Sequence, residues 1–182
     1  GARGEIALRL IEALPEIELE FPCIKWAVGG EGDKFDAINR LATEYNAGRK
    51  DKKVVVTGAR LDTPVLMNMA DVAVGVGRVA LEAMAMEKPV IIAGEAGFMG
   101  VLTPDNFQRA QGHNFSGRGS DKKTDAKNVA EAVKDLLRDR NRRVELGVFG
   151  REAVSKNFSI EIMTEEILKV YHKVIEERSE EH

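Results

Sequence analysis

Apolar positions along this chain switch between a helical and a strand period. Ile6, Leu8, Leu10, Ile11 and Leu14 recur at helical spacing and stop at Pro15. Residues 23–28 read as a strand. Phe35, Ile38, Leu41, Ala42 and Tyr45 give a second helix, with Gly48 as its stop. Residues 54–57 form a continuous apolar run, of the kind expected for a strand buried on both faces. Asp62 suits a helix cap and Pro64 a first helical turn, so a short helix is predicted over 64–69. A strand over 72–74, a glycine turn, a helix over 78–86 and a strand over 90–93 follow. Strands and helices that alternate through short loops predict an α/β fold: a doubly wound parallel sheet with helices on both faces.

The pattern loosens after residue 93. Residues 94–119 hold six glycines and read as loop with short elements; loops this long in compact domains are usually functional or mobile. Helical spacing resumes at Val129, Val133, Leu136 and Leu137, and a further helix is expected over 141–157. Ile160, Met163, Ile167, Leu168, Tyr171, Val174 and Ile175 predict a strongly amphipathic last helix, about 160–176, packing across the domain.

The segment from Ala70 to Gly94 carries the chemistry. Gly75 and Gly77 stand between a strand and a helix, where glycine permits a sharp turn and close backbone approach. N–H groups at a helix start favour anions such as phosphate. Arg78, at that helix start, is placed to neutralise a diphosphate. Glu82, among Ala80, Leu81, Ala83 and Met84, is a carboxylate suited to accept hydrogen bonds from a sugar diol; the plainer reading is a helix-start residue paired with Arg78. His113 reads as a solvated loop histidine and His172 as a surface residue, while Asn114-Phe115-Ser116-Gly117-Arg118 is a further candidate loop.

Glu82-Ala-Met-Ala followed by Lys88-Pro-Val-Ile resembles the E-A-M-A-x-G-x-P-V-I signature of the group 1 glycosyltransferases, the retaining class with the GT-B fold. The likeness continues elsewhere: Ala27-Val-Gly-Gly-Glu-Gly32 resembles a strand and its G-x-G turn, Val54-Val-Val-Thr-Gly58 the next strand, and Ala70-Asp71 the pair that opens the strand before the signature. The resemblance implies a nucleotide-sugar-binding domain over residues 1–182, the C-terminal half of a two-domain enzyme. The N-terminal acceptor domain would then be a missing partner in the same protein. A doubly wound domain normally opens on a strand, and this chain opens on a helix pattern.

By the same resemblance, the donor is a nucleoside diphosphate sugar, used as a substrate with no further cofactor or metal. Its ribose would meet Glu82 and its diphosphate Gly75, Val76, Gly77 and Arg78. Its base would lie by Arg60 and Leu61, and the loop with Gly97 and Phe98 would close over the sugar and phosphates. One departure stands out. The family places a second glutamate eight positions before the signature glutamate, where it contacts the transferred sugar; position 74 here is valine. Two alternatives stay open: an isomerase domain similar to UDP-N-acetylglucosamine 2-epimerase, and a non-catalytic nucleotide-binding module.

Composition narrows the partners. A length of 182 residues suits one domain. A net charge of −3 gives no electrostatic reason to expect nucleic acid or an acidic membrane surface. Cys23 is the only cysteine, so no internal disulfide forms, and its neighbours Phe21, Pro22 and Ile24 suggest a buried thiol. No signal peptide or membrane span is visible, so no integral membrane segment is expected and the cytoplasm is the default location. No His, Asp and Glu cluster has metal-ligand spacing, and no ATPase P-loop occurs.

Overall fold

The computed structural model describes residues 2–30, 32–59 and 63–158. The predicted last helix, Arg60, Leu61, Asp62 and His172 lie outside the described residues. Pro15, read as a stop, does two jobs. It ends α1 (Ala2–Glu12) and sits in the first turn of α2 (Leu14–Glu20), where its missing N–H leaves no helical bond unmade. Both helices face inward through Leu10, Ile11, Leu14 and Ile17, all buried.

Two right-sized strand–helix–strand units follow. In the first, β1 (Trp26–Gly29) leads through α3 (Phe35–Asn46) to β2 (Val54–Gly58), which runs parallel to it with Trp26 opposite Val54. The short α4 (Thr63–Met69) then leads to the second unit. There, β3 (Ala73–Gly75) passes through α5 (Arg78–Ala85) to β4 (Val90–Gly94), again parallel, with Gly75 opposite Ile92. Parallel neighbours need such a crossover, and the helix supplies it.

Strand β4 shows why helices lie on both faces. All five of its residues are buried. Val90 and Ile92 join one core with Ala80, Ala83 and Met84 of α5. Ile91 and Ala93 point the opposite way, into a second core with α1, α2 and α7 (Ala126–Arg138). The period of two along one strand therefore feeds two separate hydrophobic layers. A third core, Ile11, Leu14, Val28, Ile38, Ala42 and Val54, joins β1 and β2 to α1, α2 and α3.

Three expectations need correction. Strand β2 is not buried on both faces: Val54 is in the core, but Val55 is 45% exposed, because only one side of this strand pair is covered by described helices. Cys23 is exposed rather than buried. It lies in the turn between α2 and β1, closed by the Ile24 amide donating to the Phe21 carbonyl at 3.0 Å; its apolar neighbours Phe21 and Ile24 turn toward the core instead. The region after residue 93 is not mainly loop. It contains β5 (Gly97–Val101), antiparallel to β4, and α6 (Pro104–Gly112).

Helix α8 (Arg140–Asn157) crosses α5 at close range, and glycine makes this possible. A Cβ on Gly147 would come within 2.2 Å of the Glu87 carbonyl oxygen, and one on Gly150 within 3.1 Å of the Met84 side chain. The contacted turn has its own tension. Past the end of α5, the Glu87 amide donates to the Met84 carbonyl at 3.0 Å and the Lys88 amide to the Ala83 carbonyl at 2.9 Å, the paired bonds of a Schellman turn. That turn needs a left-handed residue, and Glu87 holds φ +57. The family signature has glycine at this position. Glu87→Gly is therefore expected to stabilise the chain by about 1 kcal/mol, relieving a side chain held at positive φ. Thermal unfolding would show a rise of roughly 2–4 °C; a fall would mean the Glu87 side chain contributes more than its backbone strain costs.

Candidate functional site

In open α/β folds, ligands bind beyond the carboxyl ends of the parallel strands. Here that edge is formed by the end of β3, the turn into α5, the end of β4 and a loop after α6. Gly77, between strand and helix, takes φ +54 and ψ −121, a conformation costly to residues with a Cβ. Gly75 is packed tightly for another reason: a Cβ there would lie 2.6 Å from Val79 Cγ1.

The amides of this turn are partly engaged. Gly77 N–H donates to the Phe115 carbonyl at 3.0 Å, and Val79 N–H to the Val76 carbonyl at 3.2 Å. An anion at this helix start would therefore rely on the remaining groups and on Arg78. The Arg78 side chain is 89% exposed, and its Nε donates to Glu82 Oε1 at 2.6 Å, one turn along α5. Glu82, beside it, raises the Arg78 pKa further and keeps the guanidinium charged. The plain pairing of these two residues is thus present. It does not compete with a ligand role: an exposed pair of this kind holds weakly in water. A ligand carrying phosphate for Arg78 and hydroxyls for Glu82 would replace the pair with two stronger contacts.

The loop after α6 supports the turn. Asn114 and Phe115 both have φ +51, an uncommon conformation for residues other than glycine. Phe115 is buried, with its ring 5.8 Å from that of Phe107 and 6.0 Å from that of Phe158. This anchoring aims its carbonyl at Gly77. Further along, Gly117 meets Gly97 backbone to backbone: a Cβ on Gly117 would sit 2.2 Å from the Gly97 carbonyl oxygen. A Cβ on Gly94 would lie 2.6 Å from the Ser116 carbonyl oxygen and 2.8 Å from Val76 Cγ1. The loop, the end of β4 and the glycine turn form one packed unit.

The structure brings Gly75, Val76, Gly77, Arg78 and Glu82 together at this edge. It gives Gly97 and Phe98 different work. Gly97 is the contact point for Gly117, and Phe98 is a core residue whose amide donates to the Lys122 carbonyl at 2.8 Å and whose carbonyl accepts from the Ser120 hydroxyl. Phe98 thus keeps its ring in the core and its amide on Lys122. Val74, where the family has its second glutamate, is half-buried in β3 and packs against the second core. Thr124 was not legible as a contributor. It is buried, with its hydroxyl oxygen 2.7 Å from the Gly94 carbonyl oxygen and 3.2 Å from that of Gly97. A thirty-residue separation leaves no local pattern to reveal such a link. His113 is exposed. Among the described residues, no helix is long and apolar enough to cross a membrane.

Comparison with known proteins gives the family of the chain. The profile of the family described as glycosyl transferases group 1 matches residues 7–153. Spore coat protein SA of Bacillus subtilis (strain 168) is 28% identical over 183 residues, covering 90% of this chain and 44% of that protein. The GDP-mannose-dependent alpha-(1-6)-phosphatidylinositol monomannoside mannosyltransferase of Mycobacterium tuberculosis is 31% identical over 160 residues, covering 80% of this chain and 38% of that protein. The chain thus spans less than half the length of these relatives. A crystal structure of a mutant TarM from S. aureus, in complex with Fondaparinux, alpha-GlcNAc-glycerol and UDP, superposes with a TM-score of 0.66 at 20% identity, over 89% of this chain and 32% of TarM. That likeness shows a shared α/β fold. With its family profile matched across the site and both strand–helix–strand units, the chain belongs to the group 1 glycosyl transferases.

Proposed function

We propose that this chain is the donor-binding half of a retaining glycosyltransferase of the GT-B type, which moves a sugar from a nucleoside diphosphate sugar to an acceptor. The observation that carries the reading is the Gly75–Arg78 turn at the end of β3, with Glu82 one helical turn further on, inside the segment matched by the family profile. The turn and Arg78 suit a diphosphate, and Glu82 suits the ribose hydroxyls. Arg60 and Leu61, in the loop after β2, are proposed to lie beside the base. The UDP bound to TarM and the GDP-mannose named for the mycobacterial relative support a nucleotide donor of this class. The isomerase alternative is not favoured, since the family and the mycobacterial relative are both named for transfer.

In this reading the donor is a substrate, and no further cofactor or metal is invoked. Departure of the diphosphate would be eased by fixed positive charge and amide dipoles at the start of α5. The acceptor would be held by a domain outside this chain, in the cytoplasm, and transfer would need both halves. Holding two reactants in register can lower a barrier by roughly 7–11 kcal/mol, a contribution that in this reading needs the acceptor domain as well. The test is a thermal-shift screen against UDP, GDP, ADP and dTDP. At ligand 100-fold above its Kd, binding stabilises the folded state by about 2.7 kcal/mol, a rise of roughly 5–10 °C in Tm. No shift with any nucleotide at millimolar concentration would count against the reading.

A further inference from the structure

We propose that Glu95 is a further substrate-contacting residue, and that it meets the hydroxyl-bearing sugar of the donor rather than its diphosphate; this rests on the donor-site reading above. Glu95 and Ala96 form the two-residue tip of the hairpin between β4 and β5, closed by the pairing of Gly94 with Gly97. The tip is at the carboxyl end of β4, the same edge as the glycine turn. Strand β4 runs two residues past Ile92, the partner of Gly75, so the tip stands beyond the end of β3. It also stands beside the turn, since Gly94 packs directly on Val76.

The tip is held from several sides. The buried Thr124 hydroxyl lies within hydrogen-bonding distance of the carbonyls at both ends of the tip. The Phe98 amide is bound to the Lys122 carbonyl, and Gly97 is pressed against Gly117. This rigid support presents an exposed side chain that the fold does not use: among the described residues, Glu95 has no hydrogen-bond or ion-pair partner. A functional side chain on a clamped element is placed more accurately than one on a free loop.

The chemistry selects which part of a donor Glu95 would meet. An ionised carboxylate only accepts hydrogen bonds, so it repels phosphate and suits hydroxyl groups. Strand β3 brings no carboxylate of its own to this edge, being Ala73, Val74 and Gly75. Glu82 is placed one turn down α5, beside Arg78. Glu95 is thus an acceptor beyond the turn on the β4 side, and the proposal places the sugar of a diphosphate held at the turn beside it.

The experiment uses titration calorimetry on the chain and on its Glu95→Gln and Glu95→Ala variants. The probes are UDP, GDP and ADP, with UDP-N-acetylglucosamine, GDP-mannose and ADP-glucose as the sugar-bearing counterparts. Glu95 is exposed and has no partner among the described residues, so both variants should fold like the parent. For the base that binds, Kd for the diphosphosugar is expected to weaken about tenfold or more in Glu95→Ala. Kd for the matching diphosphate should stay within about twofold of the parent, since that ligand lacks the hydroxyls concerned. Equal losses for both ligands, or no loss for either, would overturn the role of Glu95 and leave the donor site standing. A parent chain that binds none of the six probes at millimolar concentration would overturn the donor-site reading and this inference together.

Discussion

Replacing Phe115 with alanine is expected to cost about 3–5 kcal/mol of stability, the range for removing a buried phenylalanine side chain. The ring is 2% exposed and is fixed by Phe107 and Phe158, so little can collapse into the space it leaves. The alanine would also inherit φ +51 without the ring packing that holds the backbone there. For a chain of this length the loss corresponds to roughly 6–20 °C in Tm, readable by scanning calorimetry. Function would suffer as well, because the Phe115 carbonyl takes the Gly77 amide and so fixes the turn at the head of α5. A drop of less than about 3 °C would show that the aromatic cluster does not brace the site.

Glu82→Ala is expected to have the largest effect on ligand binding while leaving the fold intact. Glu82 is partly exposed, and its one partner among the described residues is the highly exposed Arg78, so the protein loses little by its removal. A nucleotide would lose charge-assisted hydrogen bonds at about 1.5–3 kcal/mol, equivalent to an affinity roughly 10–150-fold weaker. Calorimetric titration of folded variant and parent decides the matter. Equal affinities would reduce Glu82 to the partner of Arg78.

The parts of the fold legible in the sequence are those set by local pattern. Strand β4 and helix α5 were readable because Val90–Gly94 is uniformly apolar and Ala80, Ala83 and Met84 recur at helical spacing. The turn between β3 and α5 was legible for the same reason: Gly75 and Gly77 stand at the junction of two patterns. What stayed hidden depends on residues far apart in the chain. Strand β5 looked like loop because of Gly97 and Gly100, yet Gly97 is glycine to admit the backbone of Gly117. Phe98 looked like a loop residue and is a core residue because that hairpin folds back on β4. Cys23 is exposed because apolar neighbours in sequence do not bury a residue at the crest of a turn. Of the site, Gly75–Arg78 and Glu82 were visible as one segment, whereas the brace from Phe115 and the clamp from Thr124 arise only in the folded chain.

These braces bear on the proposed function. A donor site of the proposed kind, depending on amide dipoles and fixed charges, would have to be in place before the ligand arrives, since its benefit lies in costing no reorganisation. The strain at Asn114 and Phe115 and the glycine contacts at Gly94, Gly97 and Gly117 all converge on that one edge of the sheet. Helices α7 and α8, by contrast, begin on ordinary caps: the side chains of Asp125 and Asp139 accept amide hydrogen bonds at their starts.

The central claim is that the Gly75–Arg78 turn and Glu82 bind a nucleoside diphosphate. The most direct measurement is calorimetric titration of the chain with UDP, GDP and ADP, run in parallel on Glu82→Ala. The account predicts saturable one-to-one binding of at least one diphosphate, weakened about tenfold or more in the variant. Absence of binding by the folded parent chain at millimolar diphosphate, or identical affinity in parent and variant, would contradict it.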